Sequence, residues 1–419
     1  MRLGNLRFPG DENRYDLYIR DGKITTIQPA IPITTTPAGS ASVNYGEFAT
    51  IDSATHIPPP DHLSPPADTS PEPSLDLDGA LAFPGLINSH DHLDFNLFPL
   101  IGNRIYNNYT EWGPDIHTHN KAAIQPILQI PQALRTQWGV YKNLLNGFTT
   151  VVNHGEHLDI PTPLITVFQD CYCLHSVGFE PHWKWKLNNP ARNGQRVVLH
   201  VGEGTDDAAT REIDELIRWN LLRRPLIGIH GVAMTERQAP AFHALVWCPA
   251  SNYFLLDRTA PVDRLKAITP ILFGTDSTLT SSWNAWAQIR HARALGLATD
   301  TELIDMLTAA PAAAWGLSDR GVLAPGKAAD IVIARPRPGL KGMDAFFALD
   351  PDDILLVLHD GRIRLFDPSL LEPITENDLT GEDFQPAGPD GKYVGGDLPG
   401  LMEEIRQHCP GIVFQDTRG

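Results

Sequence analysis

Cysteine is scarce in this chain: four residues in 419, at positions 171, 173, 248 and 409. Cys171 and Cys173 have the wrong spacing for a CxxC redox or zinc pair, and the other two stand alone. A disulfide scaffold is therefore not expected, and reduced thiols in a cytosolic, cytoplasmic protein are. Long apolar runs are missing too. No stretch approaches a membrane span, and the opening MRLGNLRFPGDENRYD has no apolar signal-peptide core. Positive charge is in deficit, with 33 Lys and Arg against 50 Asp and Glu and a net charge of −17. That balance argues against nucleic acid or an anionic membrane face as a partner. It leaves a small anion possible, because a metal sets its own local field. There is no internal repeat.

What is present is ordinary globular material, 42% apolar and 20% charged, long enough to bury a large core. The first stretch reads as strands and turns, with YDLYIRDGKITTIQP forming a hairpin around Asp21-Gly22. Residues 55–74 are Pro-rich and polar, as in a surface loop or linker. From about residue 131 the texture changes. Leu134, Trp138, Tyr141 and Leu145 form one helical stripe between Pro131 and Gly147. FTTVVNH, RVVLHV, PLIGIHGV, ALVWCP and PILFGTDS are short apolar runs, and TREIDELIRWNLL and TERQAPAFHAL between them are helical by spacing, the second opening on a Thr235–Gln238 capping box. Buried strands alternating with helices predict parallel βα units. The last hundred residues return to strands and turns around Asp360-Gly361, and neither terminal β-rich piece has enough partners to fold alone.

The segment FPGLINSHDHLDFN concentrates ionisable groups after an apolar run. Side chains alternate along a strand, so His90 and His92 share a face while Asp91 points away. Two neutral imidazoles on one face suit a zinc-like cation. His200, His230 and Asp276 also fall at the ends of central strands. In a parallel βα barrel those ends converge on one face, which would gather all five into a metal site. Glu203, three residues past His200, suits proton transfer beside an activated water.

PGLINSHDHLD, LHVGE, IHG, CPASN, FGTDS and GVLAPGKAADIVI occur in this order. The set resembles the amidohydrolase superfamily, in the branch holding cytosine, guanine and S-adenosylhomocysteine deaminases and the triazine chlorohydrolases. The resemblance implies a (β/α)8-type, TIM-like barrel with one strand degenerate or displaced, plus a small β-sandwich built from both termini. The implied organisation is 1–80 and 321–370 in the small domain, 81–320 in the barrel, and 371–419 as a tail. Seven barrel strands are legible; between LHSVGFEPHW and RVVLHV only a short polar loop stands where the family has another βα unit. By motif, His90, His92, His200 and Asp276 resemble ligands of one divalent metal, zinc or iron(II). Glu203 resembles the acid/base, His230 the group that orients water or polarises substrate, and Asp276 counts among the catalytic residues as well.

The implied activity is hydrolysis of carbon–nitrogen bonds other than peptide bonds: deamination of a heterocycle or cyclic amidine by a metal-bound hydroxide. The alternatives are cyclic amide ring opening, as in imidazolonepropionase, and a catalytically silent scaffold, which should have lost one of these residues. Lys184 or Lys186 could in principle be a carboxylated lysine bridging two metals, whereas the His200-x-x-Glu203 pattern favours one. His154 and His157 read as ordinary polar loop residues. Trp112, in a long aromatic loop, with Trp183 and Trp283, would supply flat walls for a ring. The expected partner is a small heterocyclic or cyclic amide substrate, without nucleic acid or membrane, and a homo-oligomer is compatible with the sequence.

Overall fold

The computed structural model describes residues 1–30, 73–379, 383–387 and 391–414. The expected Pro-rich loop at 55–74 lies outside them but for its last two residues. The protein is α/β. Eight short parallel strands form two sheets: Leu86–Asp91 (β1), Phe148–Asn153 (β2) and Thr166–Phe168 (β3) in one, and Tyr172–Ser176 (β4), Val197–Val201 (β5), Leu226–His230 (β6), Phe242–Trp247 (β7) and Ile271–Phe273 (β8) in the other. β1, β2, β5, β6 and β8 are buried along their whole length, which is why they read as continuous apolar runs. Just past β8, the Asp276 N–H donates to the His90 carbonyl at 3.0 Å, tying the far edge of the second sheet to the first.

β3 and β4 belong to different sheets, and only residues 169–171 separate them. A parallel crossover needs about a dozen residues or more, so no helix intervenes there. The sequence places the missing βα unit after β4, where the structure instead has a short helix, Trp183–Leu187. The irregularity lies one connection earlier.

The helix Gln132–Leu145 follows Pro131 and stops before Gly147, whose φ of +85° suits only glycine well. Helix Asp207–Trp219 is capped by the Asp206 carboxylate, which accepts from the Ala209 N–H. The helix expected over TERQAPAFHAL is not one. Gln238 does bond back to the Thr235 N–H, but Pro240 sits in a single 3₁₀ turn, Ala239–Ala241, and the chain enters β7 at Phe242. Phe242, Ala244 and Val246 find sheet partners there, so tertiary pairing overrides the helical spacing.

Both termini share one ten-stranded sheet. Leu81–Pro84 lies antiparallel to Ile331–Ala334 and parallel to Arg2–Phe8, joining the N-terminal to the C-terminal strands. The hairpin turns at Asp21-Gly22 and Asp360-Gly361 all have positive φ, as type I′ turns require. The tail contributes too. Tyr393–Gly395 pairs with Arg362–Phe366, and Phe414 packs its ring 4.8 Å from Trp138. Leu3, Leu17, Ile331 and Leu356 anchor a core of this sheet apart from the larger core around the parallel strands. Among the described residues, no helix is long and apolar enough to cross a membrane.

Candidate metal centre

Each strand of the parallel sheets that carries a candidate residue delivers it at its C-terminal end. His90 is the penultimate residue of β1 and His92 follows the strand, His200 lies in β5, His230 ends β6, and Asp276 comes just after β8. All are buried except His92, which is partly so. His230 and Asp276 hold φ of +70° and +55°. Such conformations are uncommon for residues other than glycine, and they cluster at functional sites.

Ligand atoms of His90, His92 and Asp276 lie within 4.8 Å of one another, and so do those of His90, His200 and His230. The Nε2 atoms of His92 and His200 face each other at 3.3 Å, and His90 Nε2 lies 3.7 Å from Asp276 Oδ1. The outer ring atoms are fixed. His200 Nδ1 meets the His175 carbonyl at 2.8 Å, and His230 Nδ1 meets Asn252 Oδ1 at 2.8 Å. Each Nδ1 must donate to those oxygens, which leaves the Nε2 lone pair directed inward. Asp276 Oδ2 accepts from Ser251 and Thr280, each at 2.8 Å.

Both ring nitrogens of His90 are buried with no hydrogen-bond partner. An orphaned buried imidazole costs free energy unless something binds it. Burial, then the neighbouring imidazoles, push His90 and His200 well below the usual histidine range, so both are neutral ligands at pH 7. Burial alone would raise Asp276, but His92, His230 and the Ser277 N–H hold it below the ordinary value. Several neutral imidazoles converging on one ionised carboxylate fit a divalent cation.

Glu203 stands in neither ligand group. Its Oε1 is 3.6 Å from His230 Nε2, and burial, followed by the charges of Asp276 and Glu212, pushes its carboxyl well above the usual range. A carboxyl raised in this direction is suited to giving up a proton. It opens, with His230 and Asp276, into a cavity of about 490 Å³ that Trp112 also lines.

Other expectations fare differently. Trp183 is buried in its own helix with Lys184 over its ring, and Trp283 lines a different cavity beside the tail, so neither joins Trp112. Lys184 pairs with Glu215 and Lys186 with Glu180, and neither lysine is among the residues lining the cavity that holds Glu203, His230 and Asp276. His157 is exposed. His154, expected to be an ordinary loop residue, is instead buried with its ring 4.5 Å from His200 and 5.3 Å from His90, both nitrogens unpartnered. The sequence reading also missed Lys142. Its Nζ bonds Asp91 Oδ2 at 3.1 Å, Thr275 Oγ1 at 3.2 Å and the Asp276 carbonyl at 3.2 Å, fixing the backs of β1 and the β8 loop together. The available signal was a lysine next to Tyr141 on a helix whose last turns are otherwise apolar or amide.

The model of the amidohydrolase family matches residues 184–364. A 5-methylthioadenosine/S-adenosylhomocysteine deaminase from Pelotomaculum thermopropionicum is 27% identical over 164 residues, 34% of this chain. That match spans only 38% of the relative's length. Among solved structures, a mutant atrazine chlorohydrolase from Arthrobacter aurescens with zinc and atraton has a TM-score of 0.65 at 15% identity, over 97% of this chain and 99% of that one. A 5-methylcytosine deaminase from Klebsiella pneumoniae with 5-fluorocytosine has a TM-score of 0.58 at 16% identity, over 87% and 97%. At such identities the structures speak to fold alone. The chain is thus similar in sequence to the amidohydrolase family over residues 184–364 and similar in fold to these hydrolases over most of its length.

Proposed function

We propose that this protein is a metal-dependent hydrolase that deaminates a heterocycle or cyclic amidine. The observation that carries the reading is Glu203, a buried carboxyl raised toward its protonated form beside the imidazole cluster yet outside both ligand groups. One divalent metal, zinc or alternatively iron(II), would be held by His90, His92, His200 and Asp276, and when bound supplies Lewis acidity that makes water nucleophilic near neutral pH. Asp276 takes the proton that the attacking water gives up. Glu203 delivers a proton to the ring nitrogen next to the carbon under attack, and His230, steadied by Asn252, orients the reacting groups. The C–N bond to the exocyclic amine then breaks as the amine takes the proton held by Asp276 and leaves as ammonia, and the hydroxyl proton released as the carbonyl forms returns to Glu203.

The architecture we propose is a closed (β/α)8-type barrel over 81–320, with β3 its short strand, and a small β-sandwich from 1–80 and 321–370. The shared terminal sheet supports a small domain drawn from both termini, and it also takes in Leu81–Pro84 and the tail strands Phe384–Pro386 and Tyr393–Gly395. Reduced cysteines support a cytoplasmic location. Ammonia release across amino-purines, pyrimidines, pterins and cyclic ureas tests the activity. Release with a carbonyl product is expected; ring-opened products without ammonia would replace deamination by cyclic amide hydrolysis.

A further inference from the structure

Two chambers of opposite character meet at the centre, and His92, Phe95 and His175 line both. One, of about 560 Å³, carries Asp94, Gln132, Glu156, Glu180 and Lys186. The other, of about 490 Å³, has walls of Phe98, Trp112, Ile116, Phe179 and Leu279. Glu203, His230 and Asp276 line the apolar chamber and are not among the residues lining the polar one. Substrate must therefore meet them on the apolar side.

The polar handles on that side are largely used already. The Trp112 indole N–H donates to the Ile101 carbonyl at 2.8 Å. The Tyr109 hydroxyl bonds Glu212 at 2.9 Å and accepts from the Gly178 N–H at 2.8 Å. Thr280 Oγ1 is committed to Asp276. Among the described lining residues there is no lysine or arginine, the acids are Glu203 and Asp276, and His117 is exposed. At the rim, Leu128 and Phe179 expose 49% and 40% of their surface to water. Exposed apolar side chains continuous with an apolar cavity mark a surface that a ligand covers.

We propose that the substrate is an uncharged heterocycle carrying an alkyl or aryl substituent, without a sugar or phosphate. This rests on the deaminase reading for the reaction, but the selection itself comes from the chamber. Ribosyl hydroxyls entering it would give up water for walls with few free partners. Along the chamber walls a phosphate would find no lysine or arginine among the described lining residues. The substituent gains by leaving water against Trp112, Phe179 and Leu128, which the proposal makes the specificity-determining residues.

The test uses metal-loaded Glu203→Gln protein, so that binding is read by calorimetry with turnover suppressed. Matched probes are 9-butyladenine against adenosine, and 1-butylcytosine against cytidine. In each ring system that binds, the butyl member is expected to bind at least about 10-fold more tightly. Phe179→Ser, at a partly exposed position, should weaken the butyl probe by roughly 3- to 10-fold with unchanged metal content. Equal or tighter binding of either riboside, or no binding by either butyl probe, overturns the proposal. Tight butyl binding in a protein whose wild type releases ammonia from no amino-heterocycle would keep the chamber's selectivity and reject the deaminase reading instead.

Discussion

Among the described residues two histidine–carboxylate clusters stand out, and they differ in whether their imidazole nitrogens already have protein partners. The first joins His90, His92, His200, His230 and Asp276 at the strand ends; the second joins Asp330, His359 and Asp360 in the terminal sheet. Both bring histidine and carboxylate ligand atoms within 4.8 Å of one another. In the second, Asp330 accepts from His359 Nδ1 at 3.0 Å, from the Asp360 N–H at 2.8 Å and from Arg320 at 2.9 Å. Arg320 also reaches Asp360 and Thr166, and His359 Nε2 faces the Thr166 hydroxyl at 3.3 Å. Every group has a protein partner, and a guanidinium stands where a cation's charge would be needed. In the first cluster, His90 has no partner for either nitrogen. Clustering alone does not make a metal site; unsatisfied inward lone pairs do.

The sharpest way to break this contrast is to remove one group at a time from the first cluster. His200→Ala should abolish both bound metal and turnover, because it deletes a ligand. Glu203→Gln should keep the metal and lower kcat by about 10²- to 10⁴-fold, the usual worth of a general acid or base. Rate assays paired with metal analysis separate the two roles. Loss of metal in Glu203→Gln would make Glu203 a ligand.

In the second cluster the expected loss is of stability, not activity. Burial opposes the Asp330 charge, but His359, Arg320 and the Asp360 N–H hold its carboxyl below the ordinary value. A depressed carboxylate stabilises the fold above its unfolded pKa, and that contribution is lost as pH falls through the folded one. Asp330→Asn should therefore destabilise the protein by roughly 3 kcal/mol at pH 7. The gap from wild type should narrow on acidification below about pH 4, near the unfolded carboxylate pKa. Thermal unfolding across pH checks this; a gap that widens in acid would contradict it.

The smallest effects belong to the lysines once weighed as metal bridges. Lys184→Ala and Lys186→Ala remove partly exposed pairs with Glu215 and Glu180. Each should leave metal content unchanged and cost at most about 1 kcal/mol. A second metal equivalent that disappears with Lys186 would revive a bridged pair.

The sequence made the strand-end histidines legible because each follows a β-branched or aliphatic run, and alternation along that run orients its last side chains. The two Asp-Gly hairpins were legible for a similar local reason, the demand for positive φ. What escaped depends on contacts between distant segments. His154 looks like loop polarity in NHGEH, but it follows β2, which pairs with β1, and the fold brings its ring 4.5 Å from that of His200 in the other sheet. Lys142 bonds groups 51 and 134 positions away. Trp183 and Trp283 were indistinguishable from Trp112 by type, since an aromatic side chain does not announce which cavity it faces. The helix expected at 235–245 failed because sheet pairing outweighed its spacing.

Metal analysis by mass spectrometry on chelator-free protein, with His90→Ala and His359→Ala beside wild type, tests the central claim most directly. About one equivalent of zinc or iron should accompany wild type and His359→Ala, and none should remain in His90→Ala. Metal that stays in His90→Ala, or that leaves with His359, would place the ion elsewhere and contradict the distinction between the two clusters.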